Sequence, residues 1–527
     1  MRQQHLLQIL NIIVEDILDK GSTARDSKPR PKNSENATAE AFSKLQVRTA
    51  PDQLSLSDLI AYARDQKASL EDYLELLSSE PVVLAHDVNH WFFSRPELVP
   101  DEKGRTLPQH TDKYISGSVL DAVHSAVKGA AVWAYIDRLL ERFGEIGADK
   151  VYRNIILQEL SNICHFEFSR TQFLLKRHVA KTSKLFKRMS NAYDAAGNAR
   201  LAMKAKPETF TRSDPQLHYI LRLCDPDANA VRSVEWMRKL GELHQNYPAE
   251  REKLSEGEVD SLCNLAVVIG FIQDLSPTVS MPALSRKKGR YFVSQYQGLD
   301  LELKRLKDDV DLDLRDHAAP IDNLLEPGMA EGALKTLDQF IINKTGTKLG
   351  FLYQDLIEDS LSYLQNQYDE AKIKMEWTHQ PLPDFPSEPE EDLVHQRKQK
   401  EKTRPSSSST YEIAPEAKGV PALEPPAQKL KVSAGTAAVF TSIFRKSESR
   451  GSVSWAAFEG AMADLGFSVS PKFGSVFTFL PPETMEAKKQ FTVHRPHKSK
   501  IEGRMLLFFV QRMKRVYGWD EETFEVA

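Results

Sequence analysis

The chain has 527 residues, 41% hydrophobic and 27% charged, with a formal net charge of −4. That length exceeds what one hydrophobic core usually serves, so two or three domains are expected. No run of eighteen apolar residues is present, which excludes a membrane-spanning helix by that criterion, and the three cysteines, Cys164, Cys224 and Cys263, have no paired spacing and exclude a disulfide framework.

Taken in chain order, the first apolar stretch is Leu6 to Val14. It is interrupted by Gln8 and Asn11 and followed by Glu15 and Asp16 where a cleavage site would need small residues. It reads as a packed helix within residues 1–20 rather than a signal peptide, and acidic residues this early also argue against a mitochondrial presequence. Cytoplasm or nucleus is the expected location, in keeping with reduced, buried thiols. Residues 21–50, with Lys28-Pro29-Arg30-Pro31-Lys32 and few apolar anchors, read as a flexible loop.

Helical periodicity then dominates, and residues 51–378 are expected to form an all-helical domain with no strands. Its clearest segments are Val119 to Phe143, Val151 to Val179, Gln216 to Leu223, Val231 to His244, Val259 to Leu275 and Leu349 to Met375. Residues 277–292 read as a surface loop, and the leucines from Leu299 to Leu306 as a helix.

Within this body, His86 and His90 are spaced to share a helix face, and Cys164, His165 and Glu167 lie close together. A zinc site needs three or four converging ligands, and His86-Asp-Val-Asn-His90 lacks the glutamate beside the first histidine of a zincin helix, so core or surface histidines are the preferred reading and no metal or cofactor is expected. Thr111-Asp112 and Asp214 each precede an apolar run, where capping of free helix N–H groups is favoured over acid–base pairing with His110 or His218. Trp91-Phe92-Phe93 is expected to be buried in the body rather than exposed for docking. No phosphate-binding glycine loop, Gly-x-Ser-x-Gly elbow or dinucleotide fingerprint is present.

Residues 379–432 are rich in proline and serine, including Ser406 to Ser409, and read as a disordered linker. Residues 433–527 then carry a second pattern. Trp455, Phe458, Met462 and Leu465 predict a helix ended by Gly466. Phe467 to Val469 and Val476 to Phe479 predict a hairpin, Phe491 to Val493 a third strand, and Arg504 to Tyr517 an amphipathic helix, with Trp519 folded back on the core. The fold class is therefore mainly α: a multi-helix body, a linker and a small α+β module of order α-β-β-β-α, expected to pack by itself.

Basic residues cluster in this module at Lys488, Lys489, Arg495, Lys498, Lys500, Arg504, Arg512, Lys514 and Arg515. A cationic surface on a near-neutral chain is the footprint expected of a polyanion site, and a solvated helix face is the alternative.

Gly466-Phe467, Gly474-Ser475, the histidine after the third strand and Gly503 before the last helix resemble the HicA-type mRNA interferase family, a variant of the double-stranded RNA-binding fold, over about residues 436–520. The resemblance implies a catalytic histidine directly after Gly-Ser. Val476 stands there and can neither take nor give a proton, whereas His497 occupies the family's second histidine position. Arg450 to Phe458, Phe473 to Phe477, Val493 to His497, Tyr517-Gly-Trp, Trp91-Phe-Phe and Leu107 to Asp112 resemble, in turn, the fungal group called ipa protein, which implies relatives without implying a reaction. The expected function is then binding of RNA or another polyanion by a non-enzymatic module, through Ser475, Lys488, Lys489, His497, Lys498, Lys500 and Arg504. A helical scaffold for protein partners is the second reading and a ribonuclease the third.

Overall fold

The computed structural model describes residues 46–47, 54–377 and 429–526, apart from short gaps inside these spans. The expected N-terminal helix, nearly all of the loop at 21–50 and most of the linker lie outside the described residues. The chain is mainly α, with a small C-terminal region of strands and helices.

Strand β1 is Gln46–Val47. The principal helices of the body are α1 (Leu56–Ser79), α2 (Pro81–Phe93), α3 (Asp112–Glu145), α4 (Lys150–Lys181), α5 (Ala230–Asn246), α6 (Glu256–Thr278), α7 (Tyr291–Leu306), α8 (Met329–Thr345) and α9 (Leu349–Trp377). Their starts are chemically marked. Ser55 and Asp58 form a capping box at α1, with Asp58 N donating to Ser55 Oγ and Ser55 N to Asp58 Oδ2, and Ser255 and Glu258 repeat it at α6. Pro81 opens α2 at a position where its missing N–H costs nothing. Asp214 caps the short helix Pro215–Leu223, accepting from Leu217 N at 2.8 Å, as its position before an apolar run suggests.

Helix α3 is the centre of the body. Val119, Leu120, Val123, Val127, Ala130, Tyr135 and Leu139 are all fully buried, with α1, α2, α4 and α9 packed around it. Helix α6 lies across α4 and α5. It is long and apolar enough to cross a bilayer by length and composition, but 67% of that window is buried inside the body, where it serves as a core helix.

One element departs from the all-helical expectation: β2 (Phe186–Tyr193) and β3 (Ala199–Met203) pair as an antiparallel hairpin. Its alternation is carried by Lys187 and Arg188 rather than by polar-neutral residues, and basic side chains are poor strand formers by propensity. Tertiary bonds hold it instead. Arg188 N donates to Pro100 O at 2.9 Å and Arg188 Nη2 to Arg105 O at 3.2 Å.

The C-terminal module contains β4 (Leu430–Val432), α10 (Ala434–Phe444), β5 (Val453–Ser454), α11 (Trp455–Asp464), β6 (Ser468–Pro471), β7 (Val476–Leu480), β8 (Phe491–His494), β9 (Lys500–Ile501), α12 (Arg504–Tyr517) and β10 (Phe524–Val526). The three central strands pair antiparallel in the order β6-β7-β8, and β1 adds in parallel to the β6 edge. Strand β4, at the end of the expected linker, pairs with β10. Gly466, at φ +83°, closes α11 in the left-handed conformation that a Cβ would strain. Trp455, Phe458, Phe479, Phe491, Phe509 and Trp519 form the module's own core, with Phe458 edge-on to both Phe479 and Phe509.

The module is nevertheless not separate from the body. Strand residues alternate, so Phe477 and Phe479 face the module's core while Val476 points the other way. Val476 and Leu507 are members of the body's core cluster, and α12 packs on α1.

Candidate functional site

The basic face of the module is turned largely onto the body. Arg512 is fully buried: its Nη1 donates to Asp72 Oδ2 at 2.9 Å and its Nη2 to Asp65 Oδ1 at 2.5 Å, both on α1. Arg515 reaches Asp72 Oδ1 at 2.7 Å. Arg504 bonds Glu256 Oε1 at 2.9 Å and also Asp260, both on α6. In return Arg251, from the short helix before α6, donates to Arg495 O at 2.8 Å and His497 O at 3.3 Å.

These contacts place the residues expected to bind a polyanion. Arg504 is held by two body carboxylates and is not open to a phosphate. Ser475 is buried; its carbonyl accepts from Arg495 N at 2.7 Å, and it lines a cavity of about 10 Å³ with Cys263, His244 and Arg251. His497 is half-buried, its carbonyl engaged by Arg251 and its Nε2 without a hydrogen-bond partner. Ser475, Arg495 and His497 are thus gathered at the junction, whereas Lys489 and Lys500 are exposed away from it. Lys488 and Lys498 lie outside the described residues. Val476 is fully buried in the body's core, so a proton-transfer group at that position would face apolar side chains.

Above α6 the junction encloses a larger cavity of about 250 Å³, walled by α1, α2, α3, α4, α6, β8 and α12. Trp91, Trp133, Tyr73 and Phe508 give it aromatic surface. Trp91 sits under the Arg177 guanidinium at 4.4 Å, Phe92 is buried and Phe93 is half exposed, so the aromatic run is a helix end that divides between core and surface.

The polar wall is a connected set. Tyr73 OH donates to Asp87 Oδ2, Asp87 Oδ1 lies 3.4 Å from His86 Nδ1, and His86 Nε2 lies 3.5 Å from Glu256 Oε2. Burial alone would depress the His86 imidazolium, but hydrogen bonds to Asp87 and Glu256 more than reverse this and raise it to about 9. The same bond from His86, helped by Arg504, pulls Glu256 down to about 2. Deeper in, Arg170 grips Glu167 through Nε at 2.6 Å and Nη2 at 2.7 Å.

His90 shares the face of α2 with His86, their rings 6.0 Å apart and 14° from parallel, and its Nε2 lies 3.2 Å from Nε2 of His178 on α4. Burial lowers His90 to about 4 and His178 further, the latter with help from His90, Arg177 and Lys181. The pair is therefore neutral near pH 7. Gly257 makes room for it, since a Cβ there would stand 1.8 Å from His90 Cε1. Among the described residues no three metal-binding side chains converge, and Cys164 and His165 do not join Glu167 around a centre. All three cysteines are buried and free, and burial pushes the thiols of Cys224 and Cys263 up to about 12.

Sequence reasoning found His86 and His90 by their spacing but not Tyr73, Asp87, Glu167, Arg170, His178 or Asp260, which come from four helices with no motif in common. The His86-Asp87 adjacency four residues before His90 was the one local signal. Comparison of the chain with protein-family models, with curated proteins and with solved structures gave no match.

Proposed function

We propose that this protein binds a small organic molecule in the cavity between the helical body and the C-terminal module. The observation that carries this reading is the cavity itself: about 250 Å³ walled by two tryptophans, three ion pairs and a neutral histidine pair. Protein interiors pack tightly and leave few voids larger than a water, so a space of roughly eight waters' volume lined by converging polar and aromatic groups is the default mark of a ligand site. The module supplies Thr492, Val493, His494, Arg504, Met505 and Phe508 to its wall and acts as the closing face.

Mass spectrometry of the purified full chain, native and then denatured, tests this directly. A small molecule released from the wild-type chain and missing from an Ala126→Trp variant, whose new side chain fills the cavity, is the expected result. A folded wild-type chain that carries nothing, and whose thermal stability no small-molecule library shifts, overturns it.

Polyanion binding by the module is the second reading. It keeps Lys489, Lys500 and Lys514 as exposed cations, but Arg504, Arg512 and Arg515 already have carboxylate partners.

A further inference from the structure

The charges lining the cavity restrict what can enter it, and the restriction below rests on the small-molecule reading just given. Asp87, Glu167 and Asp260 contribute three acids, and His86, Arg170 and Arg504 three cations. Each is matched inside the protein: Glu167 by Arg170, Asp260 by Arg504, and Asp87 by His86. The wall is therefore neutral in sum and paired in detail.

A carboxylate, phosphate or ammonium entering this space would shed its hydration and meet no unmatched counter-ion. Burying an unpaired charge costs at least several kcal/mol, so such ligands are disfavoured. An uncharged ligand has no such cost, and Trp91, Trp133 and Phe508 offer it apolar contact.

The histidine pair adds a second restriction. One proton lies between the two Nε2 atoms. If His178 donates it, His178 Nδ1 is a bare acceptor; if His90 donates it, His178 Nδ1 carries the N–H. That Nδ1 is buried without a hydrogen-bond partner, on a residue only 6% exposed. A ligand group that can both donate and accept satisfies either arrangement, and hydroxyl and carboxamide groups are of that kind.

We propose that the cavity takes an uncharged aromatic molecule bearing a hydroxyl or carboxamide, with the ring among Trp91, Trp133 and Phe508 and the polar group hydrogen-bonded to the His90–His178 pair.

Three probes of one shape decide it: benzyl alcohol, benzoate and benzylammonium, titrated into the full chain at pH 7.5 by ligand-observed NMR. Benzyl alcohol is expected to bind at least about tenfold more tightly than either charged probe, a difference of about 1.4 kcal/mol. Its binding should be lost in Ala126→Trp and weakened several-fold in His178→Phe, with His90→Gln as a second variant should His178→Phe fail to fold. A charged probe that binds as well as or better than the alcohol overturns the neutral class and leaves the small-molecule reading standing. Failure of Ala126→Trp to displace any of the three overturns both.

Discussion

Arg512 Nη1 lies 2.9 Å from Asp72 Oδ2, a bond between residues 440 positions apart that joins the last helix of the chain to the first helix of the body. Both side chains are fully buried. The bond explains the basic run near the C-terminus: much of its charge answers carboxylates on α1 and α6 of the same molecule. A buried guanidinium with two aspartate partners specifies one docking orientation, since any other would leave a charge unpaired in a dry interface.

Removing Arg512 should therefore cost more than an exposed arginine would. Arg512→Ala leaves Asp65 and Asp72 buried without their cation, and breaking such a pair from one side costs about 3–5 kcal/mol. Urea unfolding of the full chain reads the loss. A double-mutant cycle with Asp72→Ala should give a coupling of about 1 kcal/mol or more, and a coupling indistinguishable from zero would show that the two residues do not depend on each other.

Much of the fold was legible in the sequence because helical periodicity is local. Arg504 to Tyr517, Val119 to Phe143 and Leu349 to Met375 each fall within a helix whose ends differ by no more than a turn or two. The β2–β3 hairpin was not legible, because Lys187 and Arg188 occupy positions where propensity argues against a strand and bonds to Pro100 and Arg105 decide otherwise. Charge near the C-terminus announced that an opposite charge was wanted, but nothing in it identified Asp65, Asp72, Glu256 and Asp260 as the partners. The cavity was equally hidden, since His90 and His178 meet across 88 positions through a space that Gly257 leaves open.

Gly257→Ala tests that space. A methyl group placed 1.8 Å from His90 Cε1 forces the ring aside, so the His90–His178 bond is broken and the cavity wall moves. Overpacking of this kind costs about 1–3 kcal/mol. Thermal unfolding should show the loss, and the histidine ring resonances of His90 and His178 should both shift in NMR. Unchanged resonances for His178 would mean that the two rings are not coupled.

Nucleic-acid binding by the full chain should be weak. With Arg504, Arg512 and Arg515 engaged by carboxylates, the exposed cations left among the described module residues include Lys489, Lys500 and Lys514. Fluorescence anisotropy with structured and single-stranded RNA should give a Kd no tighter than about 10⁻⁴ M at physiological salt, the level of weak non-specific association. Micromolar binding that weakens steeply with salt, with a slope flattened by Lys489→Ala and Lys500→Ala, would restore the polyanion reading to first place.

Stability should fall on both sides of neutrality, for opposite reasons. Burial holds His90 near 4, partly offset by Asp87 and Asp260, against an ordinary value of 6.5. Between these two values the unfolded chain binds the proton more readily than the folded one. The contribution of the neutral histidine is thus complete above about pH 6.5 and is lost as pH falls toward 4. From pH 7 to 5 this amounts to about 2 kcal/mol for one such histidine. His86 behaves in reverse. Its carboxylate partners raise it to about 9, so its contribution is complete below pH 6.5 and is lost as pH rises through 9. Urea unfolding at pH 5, 7 and 9 separates the two: His90→Gln should flatten the acid limb and leave the alkaline limb unchanged, and His86→Gln should do the opposite. Curves that stay parallel to the wild type on both limbs would show that neither histidine is held in the protonation state that the cavity's charge balance requires.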